Sequence, residues 1–79
     1  MKTTMHLVSV NEQLEELKFI VKMYVSNIPA IGSNVSYLPD PDGDLFTYKV
    51  LSVINRYEVS RDGGVNEYVI VYVLSTGTA

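Results

Sequence analysis

The chain has 79 residues, six Lys and Arg against nine Asp and Glu, a formal charge of −3 and no Cys. That length holds one domain and one core, and the missing thiols exclude disulfides, thiolate metal sites and cysteine nucleophiles. The basic residues Lys2, Lys18, Lys22, Lys49, Arg56 and Arg61 are scattered, so direct nucleic-acid binding, which draws on basic clusters, is not expected.

No apolar run approaches the length of a bilayer-spanning helix. Met1-Lys2-Thr3-Thr4-Met5-His6 lacks the apolar core of a signal peptide. The expectation is a soluble, cytoplasmic protein in which residues 1–79 form a single domain, with no membrane contact.

Residues 2–10 read as a first strand, with Thr4, His6, Val8 and Val10 on one face and Thr3, Met5, Leu7 and Ser9 on the other. Residues 11–16 break it with Glu12, Glu15 and Glu16, which read as a solvated charge run. Residues 17–25 then alternate. Leu17, Phe19, Val21, Met23 and Val25 point to a core; Lys18, Ile20, Lys22 and Tyr24 point away. The alternative is a helix near residues 12–24, which would give an α+β domain. It would stripe Leu14, Leu17, Val21 and Tyr24 and put the acidic residues at the positive end of its dipole. Nine residues of alternation, with both Lys outward, favour the strand.

Pro29 and Gly32 punctuate the next turn. Pro fixes one backbone angle, and Gly32 is expected at positive φ. Residues 34–38 read as a short strand. Pro39-Asp40-Pro41-Asp42-Gly43-Asp44 is a tight acidic loop. Its aspartates alternate as calcium ligands do. A calcium loop counted from Asp40 needs Gly at the sixth position and Glu at the twelfth, and those positions hold Leu45 and Leu51. No metal site is expected.

Residues 46–59 form a long strand with a defect. Phe46, Tyr48 and Val50 share a face, then Leu51 and Val53 take the other, which predicts a β-bulge or bend near Leu51-Ser52. Ser60-Arg61-Asp62-Gly63-Gly64 is a hairpin loop, without the Lys-Ser/Thr that a phosphate loop carries. Residues 65–74 are the last strand. Ser75-Thr76-Gly77-Thr78-Ala79 is expected to fray.

The sum is an all-β fold: one five-stranded, strongly bent antiparallel barrel. The turn Pro29-x-x-Gly32-x-x-Val35, the strand Tyr48-x-Val50-x-x-Val53 and the strand Tyr68-Val69-Ile70-Val71 give residues 17–74 a resemblance to SH3-like small barrels. The chain is similar to small uncharacterised proteins of bacteriophages and phage-bearing bacteria. The acidic loop at Asp40 to Asp44 and the absence of Trp depart from peptide-binding SH3 domains, so a proline-rich ligand is not implied.

His6, the one histidine, has no nucleophile motif beside it and reads as a half-exposed strand residue. No catalytic residue and no cofactor are expected, and the chain is not read as an enzyme. The tyrosines point elsewhere. In the last strand Val69, Val71 and Val73 face one way, and Tyr68, Ile70 and Tyr72 face the other, so both faces are apolar. With Tyr24 on the second strand and Tyr57 at the edge, they make a candidate binding surface. The competing reading packs them under the first strand or the turn at residues 12–16.

The expected function is a non-enzymatic protein-binding module that presents this strand face to a partner or to its own copy, as a homodimer. Two alternatives stand beside it. The phage resemblance implies an anti-defence inhibitor, encoded by a phage or mobile element, whose acidic loops block a host nucleic-acid-binding enzyme. The aromatic residues suggest a small-ligand binder with tyrosine stacking.

Overall fold

Five strands carry the chain: β1 (Thr3–Val10), β2 (Glu16–Val25), β3 (Asn34–Tyr37), β4 (Phe46–Val59) and β5 (Val65–Thr78). The computed structural model describes residues 2–78, and none of these is helical. The fold is all-β, and residues 12–24 hold a tight turn and a strand rather than a helix. No helix among the described residues is long and apolar enough to cross a membrane.

The strands form one sheet in the order β2-β1-β5-β4-β3. All neighbours are antiparallel except β1 and β5, which are parallel. This corrects the purely antiparallel expectation, and the reason is parity. Each connection reverses the chain, so the first and fifth strands run the same way. Joining them in one sheet makes that pair parallel.

The sheet curls into a half-barrel. Val21, Met23 and Val25 from one edge and Val35 and Tyr37 from the other pack on the same core of Met5, Leu7, Val50, Val69, Val71 and Val73. That shared cluster defines the inner, concave face. Ile28, in the connection after β2, packs there too. Two bonds lash the same connection to β4: Gly32 N–H donates to the Val50 carbonyl at 2.8 Å, and Val50 N–H donates to the Ser33 carbonyl at 2.9 Å. Gly32 has φ +89°, as the turn requires.

The predicted bulge in β4 is at Leu51. Val50 pairs with Val73 and Ser52 with Tyr72, which leaves Leu51 extra and turned to the outer face. Two further bulges lie in β2. Leu7 pairs with Val21 but Val8 with Phe19, and Ser9 pairs with Lys18 but Val10 with Glu16. Ile20 and Leu17 are the extra residues. Each bulge shifts the inside–outside phase. The regular alternation expected for residues 17–25 is therefore corrected: Ile20 packs on the core, while Leu17 and Phe19 are exposed.

The tail is corrected as well. β5 runs past Leu74, with Ser75, Gly77 and Thr78 opposite Tyr48, Thr47 and Phe46. Those residues are polar, but the pairing is made by backbone and completes the ladder that the start of β4 needs. Ala79, the last residue of the expected tail, lies outside the described residues.

At the other end, β4 and β5 outrun the sheet. β1 meets β5 from Met5 opposite Val69 onward, yet β4 and β5 continue pairing out to Val59 opposite Val65. The result is a two-stranded arm, and the molecule is 44 Å long. Its loop is closed by Ser60 N–H to the Gly64 carbonyl at 2.8 Å and Gly63 N–H to the Ser60 carbonyl at 3.0 Å. The Asp62 carboxylate accepts from the Ser60 hydroxyl and from Gly64 N–H, which holds its carboxyl below the ordinary aspartate range.

Candidate binding surface

The outer face of the sheet carries a second cluster, Val8, Val10 and Ile70, with Leu51, Ile54, Tyr68 and Tyr72 packed against it. This is where the structure places three of the five sequence-predicted residues. Tyr68, Ile70 and Tyr72 project together, as strand alternation requires. Ile70 is only 5% exposed and forms floor rather than surface. Tyr24 lies on the outer side of the edge strand β2, opposite Thr4, with the Lys22 ammonium 5.9 Å from its ring centre. Tyr57 sits opposite Glu67, in phase with Val69 and Val71, so it projects from the inner side of the arm.

A groove of about 380 Å³ runs across this face. Its floor is Val8 and Ile70; Leu17 and Phe19 of β2 form one wall, and Arg56 of β4 stands among the residues lining it. Beside the groove three rings interlock. His6 stacks on Tyr68 with centroids 4.2 Å apart and planes 27° apart, and Phe19 meets His6 edge-on at 5.5 Å. The β2 bulges create this wall. Without the phase shift at Ile20, Phe19 would share the inner face with Val21 and Met23.

The polar groups here are largely spent on each other. The Tyr68 hydroxyl donates to Glu58 at 2.6 Å, and Arg56 lies 3.8 Å from the same carboxylate. The Tyr72 hydroxyl donates to Glu16 at 2.8 Å. Each carboxylate bond favours the protonated phenol, so both tyrosines have pKa values raised above the ordinary value, with partial burial adding to the effect.

No family model, curated protein or solved structure matches the chain. The site therefore stands on its geometry. It offers an apolar floor, a wall of Leu17 and Phe19, and a charged rim of Glu16, Lys18 and Arg56, a set suited to holding an apolar or aromatic group whose edge is polar.

Of the residues lining the groove, sequence reasoning singled out only Ile70; His6, Val8, Glu16, Leu17, Lys18, Phe19 and Arg56 were missed. One signal was available. Both Val50-Leu51 and Ile20-Val21 are adjacent apolar pairs at a bulge. An apolar pair that interrupts a polar–apolar alternation marks the place where the phase slips.

A second opening, of about 340 Å³, lies at the seam between the two sheet edges and is lined by Lys18, Ile20, Tyr37, Phe46 and Tyr48. Near this end the acidic segments converge. β1 ends, β2 begins, β3 ends and β4 begins on this side of the sheet. The turn with Glu12, Glu15 and Glu16 and the loop with Asp40, Asp42 and Asp44 therefore share one pole. Asp40 is engaged locally, accepting from Asp42 N–H at 3.0 Å.

Proposed function

We propose that the chain is a non-enzymatic protein-binding module that takes an apolar or aromatic side chain of a partner protein into the outer-face groove. One observation carries this reading: Leu17 and Phe19 are large, exposed and set beside a buried apolar floor of Val8 and Ile70. An exposed aromatic over such a floor is the usual anchor of a protein contact. The carboxylates and phenols nearby already bond each other, which suits a recognition surface better than proton transfer.

The test places a photoreactive aromatic amino acid at Phe19 and irradiates the cells that make the protein. A single dominant protein adduct, lost when Leu17→Asp is added, is the expected result. Irradiation that yields only adducts insensitive to Leu17→Asp would sink the reading.

The acidic pole supports a second reading, an inhibitor that occupies a basic nucleic-acid channel of a host enzyme. Six exposed carboxylates gathered at one end give long-range attraction to a basic surface. Binding of this kind weakens steeply with salt, whereas capture by the groove tolerates it.

A further inference from the structure

Free strand edges are where sheets gain strands, and natural sheets blunt them with brevity, Pro, Lys or bulges. Two of the free edges here are blunted. β3 is four residues long and is followed by Pro39 and Pro41. β2 carries two bulges together with Lys18 and Lys22.

β5 is left uncovered by β1 only in short runs at its two ends, residues 65–68 and 74–78. The β4 edge is different. β3 covers β4 only from Phe46 to Lys49, and the preceding loop takes both polar groups of Val50. Beyond Leu51, that side of β4 has no strand partner among the described residues. It contains no Pro, no Lys and no bulge from Ser52 to Val59. Its outer half belongs to the arm, and a two-stranded ribbon alone in water is marginal. The inner face of the arm is also unfinished. Tyr57, Val59 and Val65 continue the face of Val53 and Val69, yet they are 62%, 76% and 63% exposed.

The charges name the occupant. Arg56 and Glu58 lie two residues apart on the outer side of the same edge, opposite in sign and exposed. When this strand pairs antiparallel with a copy of itself about an axis at Tyr57, Arg56 falls opposite Glu58 of the second copy, and Glu58 opposite its Arg56. Tyr57 meets Tyr57, and Asn55 meets Val59. Each cross-strand pair is then either complementary in charge or uncharged.

We propose that two copies of this chain associate through the β4 edges of their arms, antiparallel about Tyr57, to form one continuous ten-stranded sheet. This goes beyond the groove reading and rests on the β4 edge, which shares only Arg56 with the groove lining. The axis is perpendicular to the sheet, so both outer grooves face the same side. The dimer is thereby a bivalent module. The contact is small, which makes the association weak and reversible rather than obligate.

Sedimentation velocity on the full chain, from about 10 μM to about 1 mM, covers the range in which such a contact dissociates. The expected result is a concentration-dependent passage from monomer to dimer. Arg56→Glu and Glu58→Arg each set like charges opposite one another, and each is expected to weaken association at least about tenfold. The double variant R56E/E58R restores the complementarity and the dimer. Tyr57→Asp, at an exposed position on the axis, abolishes it. Phe19→Asp, in the groove, leaves it unchanged, which separates this contact from the partner site. Circular dichroism confirms that each variant keeps its fold. A monomer across the whole range overturns the proposal. So does a dimer indifferent to the single charge changes, or a double variant no better than either single one.

Discussion

The Tyr72 hydroxyl donates a 2.8 Å hydrogen bond to the Glu16 carboxylate, joining residues 56 positions apart. The bond passes over β1, which lies between β2 and β5. Tyr72 is opposite Val8, and Glu16 is opposite Val10. A convex face would otherwise leave those valines wet. The phenol and the carboxylate roof them, and Val8 and Val10 are buried. Tyr72 is thus cover as well as surface: the face looks aromatic in sequence because apolar residues sit on both sides of β1.

Two substitutions separate the roof from the bond. Tyr72→Phe keeps the ring and loses the donor, and is expected to destabilise by about 1 kcal/mol, the usual net worth of one hydrogen bond. Tyr72→Ser removes the ring too, exposes Val8 and Val10, and is expected to cost about 2 kcal/mol or more. Urea melts measure both. Equal effects from the two changes would show that the ring covers nothing.

Alkaline pH reads the same contact. The bond to Glu16 requires a protonated phenol, and it holds the Tyr72 pKa above the ordinary value of 10.0. A group raised on folding stabilises below its unfolded pKa and loses that contribution as pH climbs through the higher folded value. Subtracting the Tyr72→Phe ultraviolet titration from that of the parent isolates this phenol, with a midpoint expected above 10.0. The stability advantage of the parent over Tyr72→Phe should fade across the same window. A midpoint at or below the ordinary value would show that the bond is not populated in solution.

At Gly32 the backbone has φ +89°, and a Cβ built there meets nothing within 4 Å. Any cost of Gly32→Ala is therefore conformational rather than steric. It is expected to be about 1 kcal/mol, from the left-handed backbone that L side chains resist. Gly32→Asn should cost less, because Asn tolerates that region. A neutral Gly32→Ala in denaturant melts would place the turn in another conformation.

The sequence carried the strands where polarity alternates without interruption and lost them where it does not. β4 was legible from end to end because Val50-Leu51 shows its own slip. β2 was legible as a strand but not in phase: the apolar pair Ile20-Val21 carries the same slip signal as Val50-Leu51, but it sits in the longer apolar run Phe19-Ile20-Val21, which also fits an unbroken alternation. The end of β5 was hidden because Ser75, Thr76 and Gly77 pair through backbone, which composition does not report. The parallel β1–β5 pair was missed: five reversing strands leave β1 and β5 running the same way, but the sequence does not show that the two are neighbours. The groove was illegible for a combined reason: its wall depends on the two β2 bulges, and Arg56 reaches it from three strands away.

The turn between β1 and β2 offers the last test, at Leu14. This is the one non-glycine residue at positive φ among those described, at +63°. The turn is held by Asn11, whose side-chain oxygen accepts from Gln13 N–H at 3.0 Å and Glu15 N–H at 2.9 Å. Its carbonyl accepts from Leu14 N–H at 3.0 Å. With the backbone fixed on both sides, Leu14 adopts a conformation that costs an L side chain roughly 1–2 kcal/mol. Its side chain is exposed and recovers little by burial. Leu14→Gly removes the strain but adds freedom to the unfolded chain, which offsets about 0.5–1 kcal/mol of the gain. The net expectation is stabilisation by a few tenths of a kcal/mol to about 1 kcal/mol, seen as a higher urea midpoint at unchanged slope. Asn11→Ala acts in the opposite direction by releasing both amides. If Leu14→Gly lowers the midpoint instead, the leucine contributes packing that its exposure does not show.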